Sequence, residues 1–225
     1  MLKPFAALVS SLRKCSAVSD ITRVWFSALP KDSPWIKPCR LHYVENGKQK
    51  CRDMIKILDS VMVLLYNASR EKLIFVRQFR PAVYQSLIMA NMDLPKGDID
   101  LIKFPPQLGI TIEPCAGMVD KDKSLAEIAR EEVLEECGYD VPADRLELIY
   151  KYRTTVGSSS STLTLFYCEV CDAERVSAGG GIDNEVIEIV ELTIAEAKEL
   201  AKTGATINSG PGTPLCILWF LAHKS

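Results

Sequence analysis

Residues 60–66 (SVMVLLY) form an unbroken apolar, β-branched run, and residues 72–76 (KLIFV) form a second one after the polar turn 67–70. Runs of this length and make-up, bounded by turn residues, predict strands, here paired as a buried hairpin. Upstream, residues 41–43 and 48–51 flank Glu45-Asn46-Gly47, and Asn-Gly between two such segments predicts a tight hairpin. Further strands are predicted at 110–115, 146–152, 162–170 and 186–192. The period changes between 124 and 137. Leu125, Ala129 and Val133 recur at i, i+4 and i+8, the apolar stripe of an amphipathic helix. Ser124 with Glu127 completes a capping box at its start, and Gly138 stops it. Two later helices are predicted, at 195–202 ending before Gly204 and at 214–222, the second so apolar that it must pack on something. Residues 84–112 hold Pro95, Gly97, Pro105, Pro106 and Gly109 and read as an irregular stretch, which at that length is functional or mobile. Mixed strands with few helices predict an α+β or α/β arrangement rather than an all-parallel sheet.

Composition narrows the function. With 225 residues and 48% hydrophobic content, the chain can bury one large core, with or without a small arm. A net charge of −2 with 25% charged residues gives no clustered basic surface of the kind nucleic acid selects, so no nucleic-acid partner is expected. The eight cysteines are widely scattered and there are two histidines. That pattern points to free thiols in a reducing compartment and away from a zinc site. No apolar run reaches the roughly 18 residues of a membrane span, so no membrane partner is expected. The first 18 residues lack acids and carry Lys3, Arg13 and Lys14. They read as a floppy extension or as a mitochondrial transit segment.

The chemistry concentrates in the helix at 124–137. Glu132, Glu135 and Glu136 stand at i, i+3 and i+4 and so share one stretch of its surface, with Glu131 as a further negative neighbour. Crowded like charges destabilise a helix by a few tenths of a kcal/mol each, and carboxylates near its C-terminus oppose the helix dipole. A divalent cation would reverse both costs, and Mg²⁺ is commonly shared between carboxylates and substrate phosphates. Taken alone, the cluster reads first as a solvated acidic face.

The surrounding segment 117–139, GMVDKDKSLAEIAREEVLEECGY, resembles the Nudix box, G-x5-E-x7-R-E-U-x-E-E-x-G-U with U apolar. Gly117, Glu132, Val133, Glu135, Glu136, Gly138 and Tyr139 fall in register. Two positions depart: Lys123 stands where the family has Glu, and Glu131 where it has Arg. The lead-in Glu113-Pro114-Cys115-Ala116-Gly117 resembles the E-x-x-A-G of ADP-ribose and nucleotide-sugar pyrophosphatases, and residues 77–83 resemble their Q-x-R substrate strand. Within that subfamily the similarity is nearest to the animal UDP-glucose pyrophosphatases and runs from about residue 19 to the C-terminus.

The resemblance implies a Nudix fold, an α/β/α sandwich with a mixed sheet between helices, over residues 57–225. It implies a small β arm at 19–56 that joins two copies into a homodimer, leaving 1–18 as the extension. Mg²⁺, which Mn²⁺ can replace, would be held as two or three ions by the Ala116 carbonyl, Glu132, Glu135 and Glu136. Arg80, Glu113 and Gly117 would contact the substrate. The base would come from the loop at 181–185, with Glu185 ahead of Asp183; Glu135 would also serve catalysis. Gly179–Gly181 would act as a flexible hinge for that loop, since no phosphate-cradle pattern follows it. The implied reaction splits UDP-glucose into UMP and glucose 1-phosphate, with ADP-ribose as a second substrate, in the cytoplasm or the mitochondrion. Lys123 and Glu131 motivate two alternatives: a non-catalytic nucleotide-binding module, and a Nudix enzyme acting on another nucleotide diphosphate.

Overall fold

The computed structural model describes residues 21–34, 36–90, 97–182, 185–205 and 207–224. The segment 1–18 and Asp183 lie outside these. Two antiparallel strands, β1 (Lys37–Glu45) and β2 (Lys48–Lys56), form a separate two-stranded sheet. Their turn is made by Asn46 and Gly47, both at positive φ (52° and 72°), as the favoured two-residue hairpin requires.

The main sheet has seven strands: β3 (Ser60–Asn67), β4 (Lys72–Phe79), β5 (Ile110–Glu113), β6 (Cys115–Met118), β7 (Glu147–Arg153), β8 (Thr162–Val170) and β9 (Glu188–Thr193). β3 is central. One edge runs parallel to β8 along its whole length. The other edge pairs antiparallel with β4 only at residues 65–67 and with β6 at residues 60–63. The β3–β4 hairpin therefore splays open, and the chain from 110 to 118 enters the gap, β5 on β4 and β6 on β3. Pro114 sits between the two short strands. Lacking an N–H, it breaks the ladder where pairing changes from one strand to the other.

Alternation along the strands divides the core in two. Val61, Val63, Leu65, Ile74 and Val76 face one side, against Ile128, Ala129, Val133 and Cys137 of the helical segment 125–137. Met62, Leu64, Leu73 and Phe75 face the other, against Ala197, Leu200, Cys216, Ile217, Trp219 and Phe220. The latter belong to α3 (Ile194–Leu200) and α4 (Gly212–His223) in the numbering used here, after α1 (Pro81–Met89) and α2 (Leu125–Glu132). Helices thus cover both faces of a mixed sheet, the expected sandwich.

One expectation needs correction. Helix α1 overlaps the start of the stretch read as irregular. Pro81 opens it, where the missing N–H costs nothing. Its buried Tyr84 and Ile88 pack with Ile99 and Phe104 into a small third core, a driving force that comes from residues far along the chain. Helix α4 packs as its apolar sequence demands, as the lid of the second core: Cys216, Ile217, Trp219 and Phe220 are buried, and Leu218 is its large apolar side chain left mostly exposed. Among the described residues no helix is long and apolar enough to cross a membrane.

Candidate active site

Helix α2 begins with the anticipated capping box: Glu127 N–H donates to Ser124 Oγ at 3.2 Å and Ser124 N–H donates to Glu127 Oε2 at 2.9 Å. Past Glu132 the helix widens into a π turn, Val133–Cys137, which Gly138 ends in the left-handed region at φ 78°. Single π turns accumulate at functional sites. This one shifts the phase of Glu135 and Glu136 relative to Glu132 while Val133 and Cys137 stay in the core.

Glu132 leans back over β6, with its carboxyl group in the space that a Cβ on residue 117 would fill. Only glycine permits that approach, which explains the Gly at the head of the motif. Glu136 is 5% exposed. The Ala116 N–H donates to its Oε2 at 3.1 Å. Burial also pushes the neighbouring Cys115 thiol well above its usual range, so it stays protonated as a second donor to Glu136. Burial pushes Glu136 up to about 7, helped by Glu132 and opposed by these donors and Arg80. Glu132 rises likewise to about 7, by burial first and then by the charge of Glu135, with Glu185 and Asp120 adding to it and Lys121 opposing. Two carboxyl groups poised near neutrality, beside a third, mark a place short of positive charge.

Arg80 supplies some of it from the other bank of the splay. It follows β4, its N–H donates to the Gly109 carbonyl at 2.8 Å, and its side chain grips Glu113 of β5 with Nη2–Oε2 at 2.6 Å and Nε–Oε2 at 3.2 Å. Burial works against its charge, but the Glu113 bond, with the fields of Glu136 and Glu185, more than compensates, so its pKa is raised. The Arg80 side chain keeps 40% of its exposure, enough to present a donor edge to a ligand while Glu113 fixes its direction.

Glu185 reaches the site because the chain before it is anchored. Gly180 N–H donates to the Glu136 carbonyl at 2.9 Å and Gly181 N–H to the Glu135 carbonyl at 3.1 Å. These bonds satisfy carbonyls that a helix end leaves open. A Cβ on Gly179 (φ 67°) would overlap the Glu136 carbonyl, and one on Gly181 (φ 86°) would come within 2.7 Å of Glu185. The three glycines therefore cap the end of the segment 125–137, with Gly179 and Gly181 tightly packed, and are not the flexible hinge expected. They deliver Glu185 to within electrostatic reach of both Glu132 and Arg80.

The structure thus brings together Ala116, Gly117, Glu132, Glu135, Glu136, Arg80, Glu113 and Glu185. Lys121 was not anticipated: its ammonium lies 3.0 Å from Glu131 and 4.0 Å from Glu135. The charge pattern Lys-x-Lys just ahead of an acidic helix was the available signal. Phe79 and Tyr84 pack on one another with centroids 5.4 Å apart, and Tyr84 is buried. Among the described residues, no three acidic, cysteine or histidine side chains already converge on one point. The donor set nevertheless suits Mg²⁺: hard carboxylate oxygens, partly buried, of the kind Mg²⁺ shares with waters and phosphates.

Comparison with known proteins then decides the family. Bovine uridine diphosphate glucose pyrophosphatase NUDT14 (Bos taurus) is 41% identical over 181 residues, spanning 75% of this chain and 81% of the relative. The chain belongs to the Nudix family of nucleotide-sugar hydrolases. The mouse uridine diphosphate glucose pyrophosphatase NUDT14 (Mus musculus) is 39% identical to this Nudix chain over 203 residues, or 85% and 90% of the two lengths. A GDP-mannose pyrophosphatase of Salmonella arizonae is 34% identical over 161 residues, or 71% and 73%. No protein-family model matches the chain. In this Nudix chain, the arrangement above brings Glu136 of the helix within electrostatic reach of Arg80, which is held by Glu113.

Proposed function

We propose that this protein hydrolyses the diphosphate bridge of nucleotide sugars with Mg²⁺, splitting UDP-glucose into UMP and glucose 1-phosphate and, as a second activity, ADP-ribose into AMP and ribose 5-phosphate. The observation that carries this reading is the placement of Glu132 and Glu136, both near neutrality in pKa, opposite the guanidinium that Glu113 holds in place. Relatives whose names specify UDP-glucose and GDP-mannose support the substrate class.

Glu132, Glu135, Glu136 and the Ala116 carbonyl are the groups that would hold the cation. Bound Mg²⁺ would neutralise phosphate oxygens and lower the pKa of a bound water. The chain's own residues do the rest. Arg80 donates to a phosphate oxygen, pre-aimed by Glu113. Glu185 accepts the proton of the attacking water. Water oxygen bonds to one phosphorus, the bridging P–O bond breaks, and two monophosphates leave. Such transfer depends mainly on positioning and electrostatics. The binding-module alternative loses its motive, because Lys123 and Glu131, the departures behind it, form an ion pair with each other.

The β1–β2 hairpin supports a homodimer. An isolated two-stranded hairpin is marginal in water, and this one leaves Leu41, Val44 and Ile55 exposed, so a second copy is its natural cover. The cysteines of the described residues are free thiols, which suits the reducing cytoplasm.

The test is direct. Purified protein is incubated with Mg²⁺ or Mn²⁺ and UDP-glucose, GDP-mannose, ADP-ribose and a dinucleotide, and released monophosphates are measured. UDP-glucose should lead. Turnover of none by folded protein would refute the enzyme, and preference for the dinucleotide would refute the substrate class. Light scattering on the eluted peak should give twice the chain mass.

A further inference from the structure

The two departures from the family pattern are one exchange. Where the pattern places Glu and Arg, this chain has Lys123 and Glu131, and the two side chains meet in an ion pair. Acid and base have traded places. A second lysine joins them: Lys121 Nζ lies 3.0 Å from Glu131 Oε2 and 4.0 Å from Glu135 Oε1. Glu131 is thus held between two ammoniums, one of which also reaches a carboxylate of the site.

The contact closes a loop. Residues 119–124 connect β6 to α2. Their first member is tied down, Val119 N–H donating to the Asp59 carbonyl at 2.9 Å, and their last is the helix cap Ser124. Between these ends the side-chain ties from the loop run from Lys121 and Lys123 to Glu131 on the second turn of α2. β6 carries Ala116 and Gly117, and Glu132, adjacent to Glu131, lies against Gly117. Fastening this loop to the helix therefore fixes strand and helix at the point where the carboxylates cross from one to the other.

We infer that Glu131 is a positioning residue: with Lys123 and Lys121 it forms a reversed-polarity clasp that holds Glu132 and Glu135 in place for the cation. The inference rests on the reading of these carboxylates as cation-holding. Charge at 131 alone would act differently, since an added carboxylate beside Glu132 and Glu135 repels them, and the clasp cancels that charge while using it as a tether.

The experiment compares wild type, Glu131→Gln, Glu131→Arg and the double variant K123E/E131R, which restores the family's polarity at unchanged net charge. Position 131 is on a helix surface, and a melt of each variant verifies folding. Metal-free protein is followed by hydrogen exchange at amides 120–123, and Mn²⁺ binding by electron paramagnetic resonance. Glu131→Gln should speed exchange there and weaken Mn²⁺ binding about tenfold, at the low end of what an outer partner of a metal site contributes. Its KM for the nucleotide sugar at saturating metal should be near that of wild type. Glu131→Arg should be weaker still, facing two lysines, and the double variant should regain both protection and affinity. A Glu131→Gln variant with wild-type exchange and affinity, or a double variant no better than Glu131→Arg, would overturn the clasp. Exchange, measured without metal, decides the clasp even if wild type binds no Mn²⁺, an outcome that overturns the cation reading instead.

Discussion

Replacing Glu136 by Gln isolates the central electrostatic claim. The side chain is 5% exposed, and the Ala116 N–H that it accepts can still donate to a glutamine oxygen. The variant therefore keeps shape and one hydrogen bond and loses the charge. In the folded, metal-free protein the Glu136 carboxyl titrates near 7 rather than near 4.5. At about 1.4 kcal/mol per pH unit, that difference corresponds to about 3 kcal/mol. The sign follows from linkage. The folded state holds this proton more tightly than the unfolded state, so the stabilising share is complete below about pH 4.5 and is lost as pH rises through about 7. Glu132 shifts in the same direction, and its charge adds to the rise at Glu136. In EDTA, wild type should therefore lose melting temperature relative to Glu136→Gln between about pH 5 and about pH 8, by roughly 6–10 °C for a chain of this size. Mg²⁺ at the upper pH should return most of it to wild type and little to the variant, whose hydrolysis should fall by orders of magnitude. Thermal melts of both proteins across that range measure the difference curve. A flat curve, or equal stabilisation of both by Mg²⁺, would refute the argument that an uncompensated buried carboxylate defines the site.

Three further outcomes follow from the geometry. Gly117→Ala puts a methyl group where the Glu132 carboxyl lies; activity should drop by about two orders of magnitude, as for small displacements of reacting groups, and Mn²⁺ titration should show weaker binding. Arg80→Lys cannot reproduce the two-point grip on Glu113; kcat/KM for UDP-glucose should fall about tenfold or more with the melting temperature nearly unchanged, and wild-type kinetics would exclude contact with the diphosphate. Gly179→Ala faces both a positive φ of 67° and the Glu136 carbonyl; denaturant melts should show a loss of about 2 kcal/mol or more, with Glu185 displaced and turnover lowered, whereas a hinge would tolerate the change.

Local order along the sequence determines a good deal of this protein. The capping box at Ser124, the stop at Gly138, the Asn46-Gly47 turn and the apolar runs of β3, β4 and β8 are written within a few residues of where they act, because helix caps, turn dihedrals and side-chain period are short-range properties. The glutamate spacing was legible for the same reason. What only the tertiary structure decided involves partners that meet only when separate segments pack together. Helix α1 exists through Tyr84 and Ile88 meeting Ile99 and Phe104; α4 serves as core because the even-numbered face of β3 needs covering. The glycines at 179–181 became a rigid cap through carbonyls at 135 and 136, and Lys123 with Glu131 became a pair once a loop folded back over its helix. Burial and charge proximity set the carboxylate pKa values, and both are properties of the packed chain, which no window along the sequence contains.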